Sequence, residues 1–269
     1  MSPSHSERKP ADLKTSNEDH LSIEEQNQKA YYNAIANAYD THYASASSLR
    51  YRGELFDRFL KNEPIEGLKV LDAMCGGGQN SGYFMMRGGQ VTGVDISDEQ
   101  CKNYGARYPE NEVICCSLFD NGLAENSFDW IITDSLHHMH PKTQECMAEF
   151  HRLLKPGGRL VIWEPAAGSI FDYMRQLWYR LDKKYFEENE KSIDLPALTK
   201  SQQAQFSLQR KLYGGSTSYL FNNLSMALRI SPTKSEFRYK FFDIIERGFE
   251  LFQTKHTSLW FIAMFEKKL

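Results

Sequence analysis

VLDAMCGGGQ, residues 70–79, is an apolar run that reaches an aspartate and then gives up its side chains. Val70 and Leu71 suit a buried strand, and Asp72 stands near its end. Gly76, Gly77 and Gly78 follow, which permits positive φ and lets main chain come close to a neighbour. The helical pattern from Asn80 through Met86 sets a helix N-terminus after the turn, a place that attracts anions. Strand, glycine turn and helix in this order begin a crossover unit, whose ligand lies beyond the carboxyl end of the strand. Asp72 narrows the choice of ligand: a carboxylate beside the turn repels a pyrophosphate but accepts hydrogen bonds from an ammonium group. Ser81 also stands where a full dinucleotide fingerprint has its third glycine.

Outward from this stretch the alternation continues. LKVLDAM, QVTGVDI, EVICCSL, FDWIITD and RLVIWEP are short apolar runs separated by helical patterns between residues 67 and 165. Such alternation predicts an α/β fold with a mostly parallel sheet. Ser97, Asp98, Glu99 and Gln100 have the form of a capping box, so a helix starts after the second strand. HRLLKPGG ends the next long helix with basic residues, a proline and two glycines before RLVIWEP begins. Upstream, Tyr31, Ile35, Tyr39 and Tyr43 recur every four residues on one helix face, and Leu55, Phe56, Phe59 and Leu60 mark a second helix. Two late runs, FRYKFFDII and LWFIAMFEKK, read as strands. The expected organisation is a mobile polar tail over residues 1–22 and a single domain over 23–269. That domain has N-terminal helices at 23–62 and an insertion at about 166–235.

Composition excludes several classes. A chain of 269 residues with 41% hydrophobic content can bury a sizeable core. Its net charge of −3, with both signs interspersed, favours neither nucleic acid nor an anionic membrane. The five cysteines lack CxxC spacing, which points to free thiols in a reducing cytoplasm. No apolar stretch approaches a membrane span, and residues 1–30 are too polar for a signal-peptide core.

Asp95 closes the second strand in VTGVDIS, where a βαβ unit places an acid that accepts hydrogen bonds from two ribose hydroxyls. At this point the chain resembles the small-molecule branch of the class I S-adenosylmethionine-dependent methyltransferases. VLDAMCGGG is similar to their first motif, VTGVDIS to the acidic end of their second strand, FDWIITDSLHHM to their fourth, and LLKPGGRLVIWEP to the turn and strand that follow. The resemblance covers residues 31–165 and returns at the late strand pair. It implies a Rossmann-like, seven-stranded sheet with a late antiparallel hairpin, and S-adenosylmethionine as cofactor. It places Asp95 on the ribose, the Gly76 to Gly78 backbone beside the methionine part, and Asp72 near the sulfonium or amino group. Tyr39, Ala73, Met74, Ile96 and Asp134 complete the implied cofactor set. Two departures stand out. The family usually has glycine where Met74 stands, which implies a less tightly wound loop or a reshaped pocket edge. It often carries an aspartate near Ser117, toward the adenine amino group; here Leu118, Phe119 and Asp120 are considered instead, with Asp120 expected in that role.

Methyl transfer from a sulfonium is an in-line displacement, helped by positioning, by exclusion of water and, for an acceptor that must lose a proton, by a general base. SLHHMH places His137, His138 and His140 just past the fourth strand, and His137 or His138 is the expected base. Glu164, ending the fifth strand, is expected to orient the histidine or bind substrate. No metal is expected, because adjacent histidines in a strand-to-helix turn diverge and no upstream carboxylate pair completes a coordination set. DSLH replaces the Asn/Asp-Pro-Pro-aromatic sequence of enzymes that methylate nucleic-acid bases or glutamine, which argues against those targets. The aromatic-rich insertion is expected to cover the acceptor as a lid, with Gly214 and Gly215 allowing movement. The expected activity is methyl transfer to an oxygen or nitrogen of a small molecule. Methylation at carbon, a non-catalytic cofactor-binding partner protein and a nicotinamide-dependent oxidoreductase remain open alternatives. So does the oligomeric state, a homodimer included.

Overall fold

A computed structural model describes residues 14–15, 21–181, 190–215 and 253–269 of the chain. Its sheet is laid down in chain order by β1 (Lys14–Thr15), β2 (Lys69–Ala73), β3 (Gln90–Asp95), β4 (Glu112–Cys115), β5 (Phe128–Thr133), β6 (Leu154–Pro165), β7 (Phe206–Gly214) and β8 (Trp260–Lys267). In space the order is β1-β4-β3-β2-β5-β6-β8-β7. Strands β2 to β6 pair in parallel, while β8 runs antiparallel to both β6 and β7. This is the expected mostly parallel sheet with its late antiparallel strands. Because β3 and β5 flank β2 on opposite sides, the crossovers diverge there, and a crevice opens beyond its carboxyl end.

Helices on both faces explain why the strands read as continuous apolar runs. Successive residues of β2 point to opposite faces: Val70 packs with Phe56, Phe84 and Trp130, while Leu71 packs with Ile131, Phe150 and Phe261. The helices of these layers are α1 (Ile23–Tyr43), α2 (Ala46–Leu60), α3 (Ser81–Met86), α4 (Asp98–Arg107), α5 (Thr143–Leu153), α6 (Ile170–Leu181) and α7 (Leu195–Ser201). Ser97 caps α4 by accepting from the Gln100 N–H at 3.2 Å, as its sequence predicts. Helix α1 is clamped along α4 by Lys29 on Asp98 at 3.0 Å, Ser97 on Asn33 at 2.7 Å and Arg107 on Asp40 at 2.7 Å. Lys14–Thr15, within the stretch expected to be a tail, pairs in parallel with Ile114 and Cys115 at the sheet edge. The five cysteines are buried free thiols, and among the described residues no helix is long and apolar enough to cross a membrane.

A strand lies inside the stretch expected to be an insertion. FRYKFFDII lies outside the described residues; on its outer side β8 pairs with β7, inside the stretch assigned to a lid. Phe206 is buried in the core, and Leu208 and Tyr213 pack against it. A register shift between Leu208 and Arg210 breaks the two-residue alternation, which hid this strand. Its Arg210 and Lys211 suit an edge position. Gly214 and Gly215 end β7 against Trp260, where a Cβ on either would overlap the indole, so their small size answers a packing need.

Candidate cofactor and catalytic site

An open cleft of about 720 Å³ lies over the carboxyl ends of β2 to β5. Its floor comes from Met74, Cys75 and Gly76 after β2, from Val94, Asp95 and Ile96 at β3, and from Cys116, Ser117 and Leu118 after β4. Asp134, Ser135, His138 and Met139 close one end, while Glu25, Gln28, Tyr32 and Tyr39 of α1 form a roof.

Asp95 joins two of these walls. Its Oδ2 accepts from the Gly76 N–H at 2.8 Å, and its Oδ1 accepts from the Ser97 N–H at 2.9 Å. Burial pushes the carboxyl up, and those N–H groups pull it back. Each oxygen still has a lone pair for a ligand hydroxyl. Asp72 lies deeper and is fully buried. Its Oδ2 accepts from Ser81 Oγ at 2.6 Å, and burial raises its pKa well above the ordinary value.

The turn after β2 is not relaxed where glycine is missing. Met74 adopts φ 57°, in the left-handed region, so the backbone keeps its tight course and the methionine bears the strain. Of the three glycines, Gly76 borders the cleft. The other two make room for side chains behind it: a Cβ on Gly77 would come 2.7 Å from Asp40 Oδ1, and one on Gly78 would come 2.7 Å from the Tyr108 ring. Arg107 grips Asp40 with two hydrogen bonds of 2.8 and 2.7 Å and also donates to the Gly77 carbonyl, tying α1 to the turn.

At the β5 end, Arg52 of α2 donates to Asp134 at 2.6 Å and to Asn80 at 2.7 Å, with its guanidinium 4.8 Å from the centre of the Trp163 ring. A 3-10 turn, Leu136–Met139, carries the histidines. His137 Nδ1 lies 2.6 Å from Glu164 Oε2, and Glu164 also accepts from the Leu136 N–H at 2.6 Å and the His137 N–H at 3.2 Å. Burial pushes the Glu164 carboxyl up and the His137 imidazole down, the latter also because His138 is adjacent. The two imidazoles have centres 3.8 Å apart, and His138 meets Tyr32 edge-on at 5.6 Å.

The structure gathers Tyr39, Met74, Gly76, Asp95, Ile96, Leu118, Asp134 and His138 on the cleft wall. Ala73 is buried in β2 and Gly78 backs onto tyrosines. Phe119 stacks beside Lys142, 5.6 Å from its Nζ. Asp120 is exposed and off the cleft, because the chain turns away after Leu118, which corrects the expectation that it reaches the adenine. Glu164 is 1% exposed and bonded to His137, so it is no solvated strand end. Sequence reasoning missed Glu25, Gln100 and Arg52. Ser22-Ile23-Glu24-Glu25 is itself a capping-box pattern and carried a signal for Glu25; Arg52, one of three arginines in α2, carried none.

These residues fit a donor-rich nucleoside bearing a cation. Two buried acceptors, Asp72 Oδ1 and Gln100 Oε1, have no hydrogen-bond partner among the described residues, and Gln100 lines the cleft. Asp95 adds acceptor capacity on the cleft wall.

Residues 71–162 match the family model described as a methyltransferase domain. Among curated relatives, the uncharacterized methyltransferase sll0829 of Synechocystis is 36% identical over 34% of this chain and 44% of its own length. The malonyl-(acyl-carrier protein) O-methyltransferase of Enterobacter lignolyticus is 29% identical over 43% of this chain and 46% of its own. The chain thus spans under half the length of these relatives. The fold is shared with magnesium protoporphyrin IX methyltransferase from Synechocystis, solved with bound S-adenosylhomocysteine (TM-score 0.61, 12% identity, 91% of this chain and 100% of that one). It is shared also with the Burkholderia thailandensis 1,6-didemethyltoxoflavin-N1-methyltransferase (TM-score 0.56, 16% identity, 93% and 92%).

Proposed function

We propose, from the premise that this sheet and cleft are those of a class I S-adenosylmethionine-dependent methyltransferase, that the protein methylates an oxygen or nitrogen of a small molecule. The observation that carries this reading is Asp95 on the Gly76 N–H at 2.8 Å, which sets a ribose acceptor against the turn in one cleft with His138. When bound, S-adenosylmethionine supplies an electrophilic methyl group on a sulfonium. Asp95 orients the ribose, and the α1 roof with Tyr32 and Tyr39 excludes water from the cleft.

His137 is the proton acceptor in this reading. In this reading the ring, kept neutral by burial, donates Nδ1–H to Glu164, and the lone pair then on Nε2 takes the proton. Glu164, held by two backbone N–H groups, sets the orientation of that ring. His138, its ring centre 3.8 Å from that of His137, lines the cofactor cleft beside it. Similarity to proteins named for an oxygen-methylating and a nitrogen-methylating activity supports a small-molecule acceptor of either kind.

The test is incubation with methyl-labelled S-adenosylmethionine and a panel of small hydroxyl, carboxyl, amine and carbon-acid acceptors, read by mass spectrometry. Release of S-adenosylhomocysteine with label on oxygen or nitrogen is the expected result. Label on carbon alone overturns the acceptor assignment. Calorimetry that finds binding of a nicotinamide dinucleotide and none of S-adenosylmethionine overturns the cofactor.

A further inference from the structure

With the ribose at Asp95, strand order sets where the two ends of the cofactor lie. On one side of β3 stand β2 and β5 with the Met74 turn, Asp134 and His138; on the other stands β4. The sulfur end belongs beside the histidines, which leaves the base over the end of β4. There Ile96 and Leu118 supply apolar walls for a flat ring, and the polar rim is Ser117 with Glu25. Glu25 arrives from the roof helix and is held at both oxygens. Its Oε1 accepts from the Ser117 hydroxyl, and its Oε2 accepts from the Ser22 N–H at 3.0 Å and the Ser22 hydroxyl at 2.7 Å.

Burial pushes the Glu25 carboxyl up, but the hydrogen bonds from Ser117 and Ser22 and the Lys142 charge overcome this and hold it below the ordinary carboxylate value. An ionised carboxylate accepts and cannot donate. It matches an exocyclic amino group and repels a carbonyl in the same place.

We propose that Glu25, presented by α1 and not by the sheet, accepts the amino hydrogen of the cofactor's adenine and so reads the base. It occupies the functional place expected of Asp120, which is exposed and off the cleft. Because Glu25 is also the third residue of the α1 capping box, base recognition and the start of the roof helix share one carboxylate. The inference rests on the reading of the cleft as an S-adenosylmethionine site.

Calorimetry on the full chain, with S-adenosylhomocysteine and with S-inosylhomocysteine, which carries a carbonyl in place of the amino group, tests it. The wild type is expected to prefer the adenosyl compound by about tenfold or more, the range of a charge-assisted hydrogen bond. Glu25→Gln, which keeps a capping-box residue, is expected to weaken S-adenosylhomocysteine about tenfold or more, to bind the inosyl compound at least as tightly as the wild type does because the charge that repels its carbonyl is gone, and so to abolish the preference. Ser22→Ala weakens the same cap without removing the carboxylate, and is expected to keep the wild-type preference. An unchanged preference in Glu25→Gln, or its loss in Ser22→Ala, overturns the role of Glu25 while leaving the cofactor site standing. Failure of the wild type to bind S-adenosylhomocysteine overturns the site reading, and this inference with it.

Discussion

Nδ1 of His137 and Oε2 of Glu164 are 2.6 Å apart, joining the turn after β5 to the end of β6. The contact turns Nε2 of the ring away from Glu164, and in the proposed base role Glu164 sets the orientation of the imidazole that takes the proton. Glu164→Gln and His137→Ala are each expected to lower kcat about a hundredfold, the usual worth of a general base, with the KM for S-adenosylmethionine within about twofold. Steady-state kinetics on an active acceptor decides this, and unchanged kcat in both variants sinks the base assignment. Burial, with His138 alongside, holds the His137 imidazole well below its ordinary 6.5, so its neutral form persists into mild acid. The acid limb of the pH–rate profile is therefore expected below pH 6.5, with rate lost as pH falls through it.

Asp72 carries a stability cost that its position explains. Burial raises its folded-state pKa well above the ordinary 3.8, so ionisation favours the unfolded chain at neutral pH. The stability owed to this group is full below pH 3.8 and is lost as pH rises through the raised value. Asp72→Asn is expected to raise the melting temperature of the ligand-free protein at pH 7 by a few degrees, roughly 1 kcal/mol. Thermal melts should show that gain shrinking as the pH is lowered toward 4.

Met74 at φ 57° predicts an inverted order of substitutions. Alanine ordinarily stabilises relative to glycine by restricting the unfolded chain, but a Cβ in the left-handed region costs about 1–2 kcal/mol. Both variants remove the same side-chain packing. Met74→Gly is expected to be more stable than Met74→Ala by about 1 kcal/mol in urea denaturation, and the opposite order would contradict the strained turn.

Arg107 and Asp40 clamp α1 to the glycine turn through side chains 21% and 25% exposed. A double-mutant cycle with Asp40→Asn and Arg107→Met is expected to give a coupling near 1 kcal/mol, modest because solvent screens the pair. Each single variant is also expected to weaken S-adenosylmethionine several-fold, since the roof then sits less firmly over the cleft. Calorimetry showing wild-type affinity in both would separate the clamp from binding.

The strands from β2 to β6 and the acid at Asp95 were legible in sequence because their cause is local. A strand covered on both faces must be apolar along its length, and a ligand at its carboxyl end needs a turn and an acid at fixed spacing. The same holds for the Ser97 cap, whose hydrogen bond closes within three residues. The chain near β7 was not legible in this way: its bulge breaks the alternation, and its glycines answer the Trp260 ring, distant in sequence.

What only the tertiary structure decided is which distant groups meet. Glu25 and Ser117 are 92 residues apart, Arg52 and Asp134 are 82 apart, and Asp40 and Arg107 are 67 apart. None of these pairs leaves a periodic or spaced pattern, because each depends on where α1 and α2 dock on the sheet. Hydrophobic patterning determines that the helices pack there, through a force that is non-directional. The polar contacts that build the roof and seat its acid are directional, and they take their geometry from the assembled fold.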